Sequence, residues 1–186
     1  MARNKGKSPL SPAINGIYAD PNHESGYRVV RAIDKSNAVV ILQDEPSGPI
    51  FTFDGKIKNS KKDGTTLTLD LSPKGGPKDV VATFFDGDQK QLYFPDGNAW
   101  TKSAGVDGIY TDPNHTDGYR VVRIAKDKMY ITLQDEPNGE IIEVEGKRKG
   151  SEYLLDFSSK GGPKDIPAAI EEGKIVFPDG NSWTKL

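Results

Sequence analysis

The chain has no cysteine, which excludes a disulfide framework, a thiolate metal site and a cysteine nucleophile. Histidine occurs only as His23 and His115, and tryptophan only as Trp100 and Trp183, so little imidazole is present for acid–base or metal chemistry. No apolar run is long enough to span a bilayer. The basic start, residues 1–10, has no apolar stretch behind it and does not read as a secretory signal. A flexible basic tail over 1–10 and a soluble intracellular protein are the expectations. An excess of one charge is also missing. The 25 Lys and Arg face 27 Asp and Glu, and a net charge of −2 gives no field that would draw nucleic acid or a membrane surface. No stretch keeps a 3.6-residue apolar period over a useful length, so helices should be few.

What the chain does have is a long text written twice. Gly16-Ile17-Tyr18-Ala19-Asp20-Pro21-Asn22-His23 returns as Gly108-Ile109-Tyr110-Thr111-Asp112-Pro113-Asn114-His115. Gly26-Tyr27-Arg28-Val29-Val30-Arg31 returns unchanged at 118–123, and Leu42-Gln43-Asp44-Glu45-Pro46 at 133–137. Lys74-Gly75-Gly76-Pro77-Lys78-Asp79 returns at 160–165, and Phe94-Pro95-Asp96-Gly97-Asn98 at 177–181, each followed by Trp-Thr-Lys one residue on. A repeat of this length defines the architecture. Residues 11–15 align with 103–107, so the second unit opens where a linker would otherwise be read. The units are therefore 11–102 and 103–186, joined too closely to behave as beads on a string.

Differences between the copies separate the two faces of each strand. Val40 and Leu42 stay aliphatic as Ile131 and Leu133, whereas Ile41 becomes Thr132. Phe51 and Phe53 become Ile142 and Val144 around a Thr52 that becomes Glu143. Leu67, Leu69 and Leu71 become Tyr153, Leu155 and Phe157, while Val80, Ala82 and Phe84 become Ile166, Ala168 and Ile170. Leu92 and Phe94 become Ile175 and Phe177. Apolar character held at every second residue is the period of a strand with one buried face.

The 20 Gly and 13 Pro punctuate these runs, as in Asp54-Gly55, Asp63-Gly64, Asp86-Gly87, Asp96-Gly97, Asn138-Gly139 and Asp179-Gly180. The second unit lacks counterparts of 58–64 and 88–90, which places those stretches at hairpin tips. About seven or eight short strands per unit, too closely linked for parallel crossovers, predict an all-β protein. Its expected form is two tandem homologous antiparallel small β-barrel or meander units, packed with pseudo-twofold symmetry. One larger barrel or sandwich shared by both units is the alternative.

The closing phrase, residues 94–102, and the Lys-Gly-Gly-Pro-Lys-Asp segment resemble uncharacterised tandem β-repeat proteins of unicellular algae, over both units. The resemblance implies repeated β units and carries no activity, cofactor or catalytic residue.

Candidate sites follow from the loops. Asp20 and His23, like Asp112 and His115, offer a carboxylate and an imidazole from one tight turn, the minimum for a metal site or an acid–base pair. An ordinary Asp-Pro-Asn turn, with the carboxylate accepting backbone amides, explains the same residues structurally. Arg28 and Arg31 lie on opposite faces of one strand, so one of them points towards the core or its rim. Such an arginine needs a carboxylate, and Asp44, Glu45 or Asp70 would serve. Lys74-Gly75-Gly76-Pro77-Lys78 offers exposed amides for an anion, or simply a wide connection.

The leading expectation is a non-enzymatic binding or assembly module with two near-equivalent sites, built on Asp20, Asn22, His23, Arg28 and on Asp112, Asn114, His115, Arg120. A protein partner is its expected ligand, and no cofactor is implied. A small-ligand or carbohydrate binder, with an aromatic cleft of Tyr27, Trp100, Tyr119 and Trp183, is the second reading. A metal-assisted hydrolase on the Asp/His loops is the third, with no metal named by the sequence.

Overall fold

In the computed structural model the described residues are 13–45, 48–60, 64–137 and 139–186. The basic tail, Lys61, Lys62, and the first residues of the Asp63-Gly64 and Asn138-Gly139 turns lie outside them. The chain divides into two compact units between Lys102 and Ser103.

Each unit is an eight-stranded antiparallel barrel, closed by pairing of its first and last strands. The first contains β1 (Gly16–Ala19), β2 (Tyr27–Ala32), β3 (Asn37–Gln43), β4 (Ile50–Ser60), β5 (Gly64–Leu69), β6 (Val80–Phe85), β7 (Gln91–Tyr93) and β8 (Ala99–Lys102). The second contains β9 (Gly108–Asp112), β10 (His115–Ala125), β11 (Lys128–Gln134), β12 (Ile142–Lys149), β13 (Glu152–Asp156), β14 (Ile166–Glu171), β15 (Lys174–Val176) and β16 (Ser182–Lys185). Within each barrel every strand pairs with its sequence neighbours, and the seams are Tyr18 opposite Lys102 and Tyr110 opposite Lys185. The single shared barrel is thereby ruled out. Closure leaves no exposed sheet edge. No helix among the described residues is long and apolar enough to cross a membrane.

The alternating positions fill the lumens. Val30, Val40, Leu42, Phe53, Leu67, Leu69, Ala82, Phe84, Leu92 and Trp100 pack inside the first barrel. Their counterparts Val122, Ile131, Leu133, Val144, Tyr153, Leu155, Ala168, Ile175 and Trp183 pack inside the second. Ile41 and Thr132 differ from expectation. Parity sets them on the outer wall, yet both are buried, as are Val29 and Val121. The β2–β3 and β10–β11 walls are thus lined with buried residues on both faces, which blurs the alternation there.

An up-and-down barrel sorts its loops by parity. The β1–β2, β3–β4, β5–β6 and β7–β8 connections share one end, here called the mouth. The β2–β3, β4–β5 and β6–β7 turns share the other. The length differences between the copies fall at that other end. The β6–β7 turn spans 86–90 where β14–β15 needs only 172–173, and β4 has 11 residues against 8 in β12.

One buried hydroxyl ties the chain start into each barrel. Tyr18 donates to the Ile14 carbonyl and Tyr110 to that of Val106, both at 2.6 Å. Burial pushes the Tyr110 phenol up to about 12, helped by Asp107, and burial raises Tyr18 further still, so both stay protonated donors. Tyr18→Phe should cost about 1–2 kcal/mol in urea denaturation, because the Ile14 carbonyl would lose a buried donor. An unchanged midpoint would show that the bond adds nothing to stability.

Candidate functional site

The repeated phrases meet at the mouth. Asp20, Asn22 and His23 come from the β1–β2 loop, Arg28 from β2, and Leu42 and Asp44 from the end of β3 and the loop after it. Lys74 comes from the β5–β6 loop, Phe94 and Asn98 from the β7–β8 loop, and Trp100 from β8. The second barrel assembles the equivalent residues in the same way.

Arg28 is the hub. It shares parity with the core residue Val30, is only 1% exposed, and uses all three guanidinium nitrogens. Nε donates to Asp20 Oδ2 at 3.0 Å, and Nη1 donates to the Tyr27 and Gln43 carbonyls at 3.1 and 3.0 Å. Nη2 reaches Asp20 at 2.8 Å and Asp44 at 2.9 Å. Of the three carboxylates that sequence reasoning offered this arginine, Asp44 reaches it and Asp70 instead accepts the Ser72 amide. Asp20 also keeps its turn role, accepting the Asn22 amide at 3.0 Å, and Asn98 donates to it from the far side of the mouth at 3.1 Å. Turn and ion-pair functions thus share one carboxylate.

Arg120 repeats the plan with a different fork. Its Nη1 donates to the Tyr119 and Gln134 carbonyls, and its Nη2 lies 2.8 Å from both Asp112 and Asp135. Its Nε–H is buried without a partner. Asp112 accepts the Asn114 amide at 3.0 Å and the Asn181 side chain at 3.4 Å.

Histidine and lysine close the network from the rim. His23 Nδ1 lies 3.6 Å from Asp44, while His115 sits between Asp112 at 3.2 Å and Asp135 at 3.5 Å. Both imidazoles are about a third exposed, at 36% and 34%. Lys74 pairs with Asp44, and Lys160 with Asp135. Lysine was not among the expected site residues. The Gly-Gly loop that carries it is no anion cradle, since the Gly75 and Gly76 amides bond back to the Ser72 and Leu71 carbonyls. The loop instead carries a lysine across the mouth.

Comparison with known proteins gives nothing further. No family model, curated protein or solved structure matches this chain.

Inside this polar rim each mouth holds a cavity, about 330 Å³ in the first barrel and about 340 Å³ in the second. Its inner walls are apolar: Leu42, Leu71, Val80, Phe94 and Trp100 in one, Leu133, Phe157, Ile166, Phe177 and Trp183 in the other. The guanidinium of Arg28 lies 5.6 Å from the Trp100 ring centre, and that of Arg120 5.4 Å from the Trp183 ring centre, within cation–π range. The four-aromatic cleft is not assembled. Tyr27 and Tyr119 are buried on the strand face opposite Arg28 and Arg120, and of each expected pair the tryptophan lines the mouth cavity and the tyrosine does not.

No group of three or more His, Cys, Asp or Glu residues among the described residues is arranged to hold a metal ion. The carboxylates beside the imidazoles are also engaged by arginine and lysine.

The network predicts acid lability. Burial pushes the Asp44 and Asp135 carboxyls up, but the lysine hydrogen bond and the charges of arginine, lysine and histidine outweigh it, leaving both below the usual range. Asp112 is also lowered, its burial outweighed by the Asn114 amide, His115 and Arg120. A folded pKa below the unfolded one gives stability that is complete above the unfolded value, about 3.9 for Asp, and is lost as pH falls through the folded value. Stability in urea should therefore fall from about pH 5 downwards, and Asp44→Asn/Asp135→Asn should flatten that fall. Equal slopes for the two proteins would remove these carboxylates from the acid response.

Proposed function

We propose that the chain is a non-enzymatic binding module with two near-equivalent sites, one in the mouth of each barrel. One observation carries this reading: all five phrases that the two copies share converge on the cavity end, while the opposite turns differ in sequence and length. The buried ion-pair network accounts for part of this repetition, and the cavity linings repeat beyond it: Leu42, Phe94, Asp96 and Trp100 return unchanged as Leu133, Phe177, Asp179 and Trp183.

The shape favours a compact occupant over a flat contact. Ligand pockets have volumes of about 300–1,000 Å³, with apolar walls and a few placed polar groups. Cavities of about 330 and 340 Å³ lie at the small end, enough for a one- or two-ring molecule. An extended sugar chain would not fit inside. A partner protein would use the same mouth through one inserted side chain, as an anchor residue does.

The test is a thermal-shift panel of small ring compounds, sugars, phosphate, sulfate and divalent cations on the full chain, beside a filled variant, Val80→Phe/Ile166→Phe. Ligands that bind only the folded protein raise the midpoint as RT ln(1 + [L]/Kd), about 2.7 kcal/mol at a hundredfold excess over Kd. Ring compounds should stabilise the wild type and leave the filled variant unmoved. Stabilisation of both proteins alike would place binding elsewhere. No shift with any compound would leave the mouths as ion-paired barrel ends.

A further inference from the structure

We infer that the outer wall of the first barrel is a further binding site, a groove that takes a short neutral glycan. It is separate from the two mouths and does not depend on their reading as binding sites.

The starting observation is where the exposed rings lie. Four large apolar side chains are exposed among the described residues, and three of them, Val81, Phe85 and Tyr93, share the outer face of β6 and β7. Phe85 is 55% and Tyr93 44% exposed, and their rings meet edge to face at 5.2 Å. The core has no claim on either ring, since Ala82, Phe84 and Leu92 of the same strands point into the lumen. Exposed apolar surface gathered in one place marks a site of contact.

A polar groove adjoins the rings. Phe85 pairs with Gln91, Gln91 with Thr101 and Thr101 with Ala19, so one row of outward residues crosses four strands. Hydrogen bonds tie the row together. Tyr93 donates its hydroxyl to Gln91 Oε1, and Gln91 Nε2 donates to Thr101 Oγ1 at 2.9 Å. From Gln91 onwards the wall opens into a groove of about 780 Å³. Ala19 and Ala99 line it between Asn22 and Glu24 of one loop and Asp96 and Asn98 of another. Four strands at ordinary spacing extend over about 14 Å, room for a short oligosaccharide.

The second barrel supplies the contrast. It has Glu171 for Phe85, Val176 for Tyr93, Lys174 for Gln91 and Thr116 for Glu24, while Thr111 and Ser182 replace the two alanines. That barrel closes with the same topology, so closure does not require the rings outside.

Chemistry selects the occupant. No lysine or arginine lines the groove, and Glu24 and Asp96 are exposed carboxylates. This disfavours nucleic acid, whose binding rests on cations that neutralise phosphate. A peptide cannot add as a strand, because the closed barrel offers no edge. A sugar meets every group present. Its C–H face packs on the negative face of an aromatic ring. Its hydroxyls donate to carboxylates and side-chain carbonyls and accept from Asn, Gln and Thr.

The experiment titrates the full chain, labelled with nitrogen-15, with cellotriose, maltotriose, xylotriose and triacetylchitotriose. Glucose, tri-lysine and a thymidine trinucleotide are run beside them. At least one trisaccharide should bind saturably at about millimolar concentration or below, shifting the amides of residues 83–85, 91–93 and 99–101. Glucose should bind about tenfold more weakly or worse. The double exchange Phe85→Glu/Tyr93→Val uses residues that the second barrel carries at these positions. It should weaken the trisaccharide about tenfold or more, the loss of an aromatic contact, with the urea midpoint unchanged.

No shift with any trisaccharide overturns the inference, and so does binding that survives the double exchange. Tighter binding of tri-lysine or of the trinucleotide overturns the glycan as occupant. Glucose as tight as the trisaccharides overturns the extended groove. The mouth-filled variant, Val80→Phe/Ile166→Phe, should bind the glycan as the wild type does, and loss of binding there would assign the sugar to a mouth. Failure of the mouths has a separate signature, ring compounds that stabilise the filled variant and the wild type alike, and it leaves the glycan result unchanged.

Discussion

Replacing Arg28 by methionine should destabilise the first barrel by about 3–5 kcal/mol, the range for breaking a buried ion pair from one side. Methionine fills similar space, so the loss is chiefly electrostatic. Asp20, 5% exposed, would keep its charge without its main partner. The Tyr27 and Gln43 carbonyls would lose their side-chain donor, and Asp44 would be left to Lys74 and His23. Arg28→Lys should recover only part of this. An ammonium restores the charge, but it cannot place donors on two carbonyls and two carboxylates at the fork angles the guanidinium supplies. Arg120→Met should cost less than Arg28→Met, because Arg120 leaves its Nε unused. Urea denaturation of the three variants checks the order. Midpoints that match the wild type would show that the hub holds nothing together.

The architecture was legible because two copies act as their own comparison. Positions such as Val40/Ile131 and Leu42/Leu133 changed size and kept their apolar character, which marks an inward face without outside information. Closure was less legible. Alternation alone did not distinguish one barrel per copy from a shared one, because it reports faces and not which edge strands meet.

The site was legible in part. Asp20, Arg28 and Asp44, with their partners, were named from turn chemistry and parity, and the fold joins them. Lys74 was named only within a candidate anion loop and not as a partner of Asp44, and Asn98 was missed, although both lie inside repeated phrases. In sequence they are 54 and 78 residues from Asp20, and only the meander brings their loops to one end. The signal was available in hindsight: in an up-and-down barrel the odd-numbered connections share an end, and the repeated phrases occupy those connections. Tyr27 was misjudged for the opposite reason. It adjoins Arg28, and adjacent strand residues point to opposite faces.

Gly26→Ala should do nearly as much damage as loss of the arginine, by a different route. A Cβ at Gly26 would stand 2.2 Å from the Gln43 carbonyl oxygen and 2.6 Å from that of Asp44, and at Gly118 it would stand 2.3 and 2.6 Å from the equivalent oxygens. These are backbone atoms, so relief requires the β3–β4 turn to move. The carbonyl that must move is the one Arg28 Nη1 binds, and the residue after it is the carboxylate that joins arginine to lysine. One methyl group therefore strains the strand and loosens the hub together. Overpacking typically costs about 1–3 kcal/mol, and the broken network should push this case to the upper end or past it.

Gly75 is the control. Nothing lies within 4 Å of a Cβ there, but its φ of +82° is left-handed. Gly75→Ala should cost only about 1–2 kcal/mol, the penalty of that conformation for an L-residue, and Gly75→Asn less, because asparagine tolerates it. At Gly26 asparagine should be worse than alanine, since the objection is to volume. Asparagine gentler than alanine at position 75 and harsher at position 26 would assign the two glycines to different causes. The same order at both positions would mean that Gly26, too, is held by backbone angle and that the turn has room to yield.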